Sequence, residues 1–452
     1  MSLPDEKLSE DRFEEKEDRL PYGSDYAEDP ILESRSNHRS PLAPPSHTDN
    51  NFLLCNAKLD GLTDDLHLTG YKYNVALTVF YILYVLIDIP SNWLLKIVGG
   101  GRYLPLLAIA WGIVGTSMGA VKSYGGLIAC RHLLGACEGG MFGGIILYLS
   151  MFYKRHQLMF RLGVLYCAAP LSGAFGGLLA TGLAEIRFGG YDGWPWIFFV
   201  EGSITIVVAM VAFFFLPNTP GGARFLAPEE QSVAARRLQA DQGAAASGRV
   251  EEEHFNWQEV RSALLNLNAI AMSINFFLIL VPIYSYSLFL PTIIKGLGYT
   301  RVTAQLFTVP PNFLAFLSVL AFAWTSDRIK MRGPLIVLGL SLAAVGYIMQ
   351  LASQQNAVKY AGTFFVAVGA FSCSPLVLAW LSNNLAPHTT KATGLGFQVT
   401  VGNCGAFVAT FTYLAEDAPK YVTGHAINLG AIGLSLLLTL ANIAYVRWEN
   451  NA

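Results

Sequence analysis

Long apolar stretches broken by short polar ones run through this chain from about position 70 almost to its end. A helix that crosses the hydrocarbon core of a bilayer needs about 20 mostly apolar residues. Eleven such windows can be drawn between charged, Gly or Pro boundaries. In the first half they run from Asn74 to Leu95, Leu104 to Val121, Leu127 to Phe152, Leu162 to Leu183 and Trp196 to Leu216. In the second half they run from Ala269 to Ile294, Ala304 to Trp324, Leu335 to Ala352, Ala361 to Leu381, Ala392 to Leu414 and Ile427 to Val446. Between the fifth and sixth lies a polar stretch with Arg236, Arg237, Asp241, a Gly/Ala/Ser-rich segment and Glu251, Glu252 and Glu253. The pattern predicts an all-α membrane protein of two helical bundles, 52–216 with five spans and 267–452 with six. A central loop, 217–266, joins them. The first residues, 1–51, mix Asp, Glu, Lys, Ser and Pro without an apolar core after a basic start, and read as a disordered cytosolic-type tail and not a signal peptide.

Composition agrees with the pattern. At 53% hydrophobic and 14% charged residues, the chain carries more apolar surface than a water-exposed shell tolerates, so a lipid bilayer is its implied partner. The net charge of -2, with no basic face interleaved with aromatics, excludes nucleic acid. Cys130, Cys137, Cys167, Cys373 and Cys404 fall inside apolar runs and form no metal-ligand spacing, so they read as packing residues. No phosphate-cradling Gly loop with Lys, nucleophile elbow or His-rich metal spacing occurs, which argues against an enzyme and calls for no cofactor. An ion gradient would have to drive any transport.

Cytoplasmic loops of membrane proteins are enriched in Lys and Arg. Lys96, Arg102, Lys154, Arg155, Arg161, Arg328, Lys330, Arg332, Lys391 and Arg447 fall on one side together with the central loop. Lys122, Arg187, Lys295, Arg301, Lys359 and Lys420 fall on the other. The alternation puts the central loop and the C-terminus in the cytoplasm. Eleven spans then put the N-terminal tail outside, at odds with its cytosolic character.

Arg131 and Glu138 stand seven residues apart, two helical turns on one face, inside an apolar run. A charge inside a membrane costs about 2.5 to 3.5 kcal/mol on insertion scales and marks a bundle interior or a water-filled path. Arg131 is therefore a candidate ligand for a substrate carboxylate and Glu138 a candidate carrier of the coupling proton. A structural ion pair, or an Arg that snorkels to water, is the alternative. Asp88, two residues before Pro90 near the cytoplasmic end of its span, is a candidate gating residue. Gly139 with Gly143, Gly140 with Gly144 and Gly173 with Gly177 are small pairs that let helices approach closely. The second half offers Tyr284, Tyr286 and Phe289 before Pro291, then Trp380, Asn383 and Asn384, then Gln398 and Asn403 between glycines. Aromatic faces and amide donors suit a flat ring bearing a carboxylate, or an amide-rich anion. Interfacial aromatics and helix-bridging amides are the alternative for each residue taken singly.

Several blocks carry a resemblance: Asn56-Ala57-Lys58-Leu59; Tyr73-Asn74 through Asp88-Ile89-Pro90-Ser91-Asn92; Arg131-x-Leu-Leu-Gly135-x-x-Glu138-Gly139-Gly140; and Tyr153-x-Arg155. Further on come Gly173-Ala174-Phe175-Gly176-Gly177, Gly193-Trp194-x-Trp196-Ile197-Phe198, Phe289-Leu290-Pro291, Pro310-Pro311, Ser326-Asp327-Arg328 and Ala379-Trp380-x-x-Asn383-Asn384. Over about Cys55 to Trp448 the chain resembles the major facilitator superfamily and, within it, the anion:cation symporters that include fungal allantoate and nicotinate permeases. The resemblance implies a single-chain, monomeric carrier of the plasma membrane. It would take up a small organic anion such as nicotinate or allantoate with protons, by rocking of two halves around a central site. Asp327 and Arg328 with Arg332 resemble a degenerate form of the superfamily's loop motif, which latches helix ends. In such permeases the Asn-Ala-Lys-Leu block follows a span ending in Asp-Arg-x-Asn, whereas here it follows His47-Thr48-Asp49-Asn50-Asn51-Phe52, so the family's first helix is missing. Gln157 stands where the family usually has Glu, Gly143 where it has Pro, and the tail after Arg447 is short. Two other functions stay open at this point: a truncated or sensor-like product that does not transport, and an efflux carrier for a drug or metabolite, with no dependence on a substrate carboxylate.

Overall fold

With no water in the hydrocarbon core, backbone N–H and C=O groups must be satisfied within the segment, and an apolar run of span length closes them as an α-helix. The computed structural model describes residues 49–150, 152, 155–218, 222, 227, 229, 231, 261–262, 264–385 and 388–451. The tail up to 48 and most of the central loop lie outside the described residues. In chain order the elements are α1 (Asp49–Leu59), α2 (Leu62–Asp65), α3 (Lys72–Val98), α4 (Gly100–Met118), α5 (Tyr124–Gly139), α6 (Met141–Ser150) and α7 (Arg155–Leu183). A two-residue antiparallel pair, β1 (Arg187–Phe188) and β2 (Tyr191–Asp192), leads into α8 (Pro195–Phe215). The second half comprises α9 (Leu267–Gly296), α10 (Arg301–Leu306), α11 (Val309–Ile329), α12 (Gly333–Ala352), α13 (Asn356–Asn384), α14 (His388–Asn403), α15 (Gly405–Ala409) and α16 (Val422–Asn451).

Eight helical segments among the described residues are long and apolar enough to cross a membrane. Three helical elements complete the eleven expected spans: α3, α4, and α14 continued by α15. Polar side chains mark the helix starts: Ser123 accepts from the Gly126 N–H and Asn266 from the Ala269 N–H, each satisfying an otherwise orphaned donor.

No full first span precedes α3 among the described residues. The position is taken by α1, whose eleven residues rise about 16 Å, roughly half a hydrocarbon core. Its Leu54, Cys55, Asn56 and Ala57 are wholly buried. α1 starts at Asp49, inside the segment read as tail. Its last turn reaches the face opposite the central loop, where the adjoining Asp60 pairs with Arg301.

Successive helices alternate in direction, so the loops sort onto two faces. On the far face Trp194 donates to Asp65 (2.7 Å), Asn356 to the Leu297 carbonyl (2.7 Å) and Tyr71 to Glu416 (3.1 Å). On the central-loop face Tyr148 donates to the Pro217 carbonyl (2.8 Å).

Two buried clusters form the core. One runs from Leu53 to Ala209 and takes in Leu288, Phe289 and Ile293; the other runs from Ala269 to Ile432 and takes in Cys167. Glycines set the closest helix contacts. A Cβ at Gly135 or Gly139 would overlap the carbonyl of Phe80 or Tyr84, so α5 lies directly on α3. A Cβ at Gly177 would fall 2.6 Å from Thr308 Oγ1 and one at Gly173 would fall 3.0 Å from Asn312 Nδ2. The Gly173/Gly177 pair thus seats α7 of the first half against α11 of the second.

Candidate functional site

Arg131 and Glu138 lie on one face of α5, separated by about 10 Å of helix rise, and both are buried, at 0% and 1% exposure. Arg131 does not snorkel. Its Nε donates to the Ala76 carbonyl at 3.1 Å, and its guanidinium carbon stands 4.5 Å from the centre of the Phe80 ring. The close approach of α3, which Gly135 and Gly139 permit, brings both partners within reach. Glu138 acts electrostatically on Arg131, on Tyr81 and Tyr84 of α3, and on Tyr284 of α9.

The tyrosines form the wall between the halves. Tyr81 meets Tyr284 edge to face, with ring centres 5.5 Å apart, and packs on Tyr84 at 6.1 Å and on Phe407 of α15 at 6.4 Å. Tyr284 donates to Asn403 Oδ1 at 2.9 Å. On α7, Tyr166 packs on Phe142 at 5.3 Å and lies within electrostatic reach of Tyr284. A buried cation, a buried carboxyl and a set of phenols from both halves thus share one region near mid-thickness. Such a set can bind a carboxylate and hold or pass a proton.

Of the residues singled out from the sequence, Arg131, Glu138, Tyr284 and Asn403 come together here. Tyr286 is buried two residues on, packs on Phe371 at 5.8 Å, and faces a separate small cavity. The rest are placed elsewhere. Phe289 sits toward the far face, 5.3 Å from the Tyr413 ring, with Lys58 Nζ 5.8 Å from its centre. Gln398 donates to the Met272 carbonyl at 3.2 Å and so ties α14 to α9 within the second half. Trp380 borders Gly333 at the start of α12, on the central-loop face, and Asn384 is exposed at the end of α13. α13 carries them one to two turns beyond the central region. The Asn383 side chain is outside the described residues.

Among the gating candidates, Asp88 is buried, accepts from Asn92 Nδ2 at 3.1 Å and lies against Gly143 of α6. Asp327 and Arg328 are exposed; Arg328 stands 5.0 Å from the centre of the Trp324 ring. Arg332 immediately precedes α12, with no side-chain capping bond, and lies within electrostatic reach of Asp327.

Ties between the halves that sequence reading missed lie at the far face. Arg301 Nε meets Asp60 Oδ1 at 3.1 Å, and the Asp60 side chain is fully buried. Gln305 Nε2 donates to Asp60 Oδ2 at 2.9 Å while its Oε1 accepts from Thr181 of α7. Asn74 donates to the Thr410 carbonyl, and the Thr78 and Thr410 hydroxyls lie 2.9 Å apart. Asp60 lies outside the spans. Its burial pushes the carboxyl above the ordinary 3.8, against the lowering effects of Gln305, Arg301 and Lys295.

The sequence profile of the Major Facilitator Superfamily matches residues 46–410. The chain belongs to this superfamily. An uncharacterized transporter of Schizosaccharomyces pombe is 38% identical over 394 residues, 86% of this chain and 78% of that protein. The high-affinity nicotinic acid transporter of Saccharomyces cerevisiae is 33% identical over 396 residues, 88% of this chain and 73% of that protein. Among solved structures, a bacterial homolog of the human lysosomal transporter Spinster superposes with a TM-score of 0.63 at 14% identity, covering 88% of this chain and 93% of that one. The proton:xylose symporter XylE superposes with a TM-score of 0.61 at 15% identity, covering 85% and 93%. The two-bundle fold of a multi-pass major facilitator transporter follows.

Proposed function

We propose that this major facilitator protein is a proton-coupled importer of a small organic anion of the nicotinate class, working by alternating access at the plasma membrane as a monomer. The observation that carries the reading is the buried Arg131 and Glu138 on one face of α5, beneath tyrosines drawn from both halves. An ionised Glu138 answers the charge of Arg131 across a low-dielectric interior, where such attraction is strong. Protonating Glu138 removes that answer and leaves Arg131 to bind the substrate carboxylate. Loss of the proton on the other side restores the internal pair and expels the substrate. One residue pair thus couples proton and anion in the same direction, and the similarity to a nicotinic acid transporter supports a flat aromatic carboxylate as cargo.

The test is uptake of labelled nicotinate by cells expressing the chain at acidic external pH. Uptake that collapses on addition of a protonophore is expected; uptake indifferent to it would refute proton coupling.

A further inference from the structure

The Arg131 and Glu138 mechanism leaves a second cation between the halves unused. Lys58 stands half-buried in the last turn of α1, two residues before the Asp60 that ties the far face shut. Its Nζ lies 4.2 Å from the centre of the Tyr73 ring on α3 and 5.8 Å from that of Phe289 on α9. One ring belongs to each half, so the ammonium sits on the seam between them.

An ammonium carries three N–H donors and no acceptor. Ring faces attract its charge and leave those donors for an oxygen. The nearest carboxylate in sequence, Asp60, is engaged by Arg301 and Gln305, and Lys58 has neither an ion pair nor a hydrogen bond of its side chain among the described residues. Lys295 of α9 acts on it electrostatically, as a like charge. Phe289, Thr292 and Lys295 recur at three-residue spacing and so run along one side of α9. The Thr292 hydroxyl is buried and has no hydrogen-bond partner among the described residues. Two cations and an unused hydroxyl beside two ring faces form a setting that an anion satisfies.

The position also leads to Arg131. The Tyr73 hydroxyl donates to Cys55 Sγ at 3.5 Å, one turn before Lys58 on α1, and Arg131 acts electrostatically on both Tyr73 and Cys55. Ala76, whose carbonyl accepts from Arg131, follows Tyr73 by one turn of α3, a rise of about 4.5 Å. Lys58 and Arg131 therefore flank the same stretch of α3, with Lys58 toward the far face.

We propose that Lys58 is a second carboxylate-binding residue, which takes the anion at the far-face seam when the Asp60 ties open and passes it inward to Arg131. This rests on the carboxylate reading given above. The anion occupies the two cations in turn, so Lys58 governs capture and Arg131 governs the transported state.

The experiment measures KM and maximal rate for labelled nicotinate, benzoate and allantoate in cells expressing the full chain, its Lys58→Met form and its Lys58→Arg form, each corrected for surface abundance. Lys58→Met keeps the length of the side chain and removes the charge; Lys58→Arg keeps the charge. For the anion that the wild type transports, Lys58→Met is expected to raise KM about tenfold or more, the worth of a charge-assisted hydrogen bond. Its maximal rate is expected to stay within about twofold, and Lys58→Arg to return KM to within about threefold of the wild type. A purely structural clamp would instead lower the maximal rate with KM unchanged. That result, an unchanged KM in Lys58→Met, or a raised KM that Lys58→Arg does not reverse, would overturn the role of Lys58 and leave the carboxylate reading standing. Transport of none of the three anions by the wild type overturns both.

Discussion

Arg131 and Glu138 carry the account at the scale of single residues. Glu138→Gln mimics the protonated carboxyl permanently, so it is expected to cut net uptake by more than about tenfold while exchange of labelled for unlabelled substrate persists, since exchange needs no proton release. Counterflow from preloaded cells beside net uptake reads the two rates, and equal loss of both would show that Glu138 does not carry the proton. The pair was legible in the sequence because a charge in an apolar run is rare and expensive. Tyr81, Tyr84 and Tyr166 were not. The chain has 20 tyrosines, and a phenol in an apolar helix carries no local sign of whether it packs or faces a site.

Single elements show where sequence pattern succeeds and where it stops. The long helices were legible because each must satisfy its own backbone and present about 20 apolar residues. α1 was not, since eleven residues fall below any span-length window, and its apolar side chains are too few to mark a periodicity. Its place is fixed by packing against α7 and α9, and Leu54 is wholly buried there. Leu54→Ala is expected to cost about 2 to 5 kcal/mol, the range for a large-to-small change in a packed interior. The readout is a lowered thermal midpoint of the purified protein in detergent; an unchanged midpoint would mean that α1 is not part of the core. The glycine pairs were legible as packing residues, but which helix each one meets was not. Gly135→Ala is expected to force α5 off α3, with a similar fall in midpoint and a loss of uptake, because the Phe80 and Ala76 contacts of Arg131 would shift with α3.

For the whole molecule, the Asp60, Arg301 and Gln305 ties hold the two halves together at the far face and must break for that face to open. Burial sets the Asp60 carboxyl above 3.8 in the latched form, so that form binds the proton more tightly than one in which Asp60 is hydrated. By linkage, acid favours the latch: it tightens as pH falls through the raised value, is fully favoured below 3.8, and loosens as pH rises. Ala180 is buried beside this face and serves as a reporter when changed to Cys. Its labelling by an impermeant thiol reagent, measured above the rate of the natural cysteines and divided by the rate on the Asp60→Asn form at the same pH to cancel the loss of thiolate in acid, is expected to slow on acidification. Labelling that speeds up in acid would reverse the sign and refute this role for Asp60.

The charge alternation of the loops, the long central loop and the two rows of helices made the bundle architecture readable in advance. The ties across the halves join residues 124 or more positions apart and carry no local pattern. The most direct test of the central claim is labelled nicotinate uptake at acidic external pH by the wild-type chain and by Arg131→Gln at matched surface abundance. The account predicts protonophore-sensitive uptake by the wild type and a fall of at least about tenfold on loss of the cation; equal uptake by the two would contradict it.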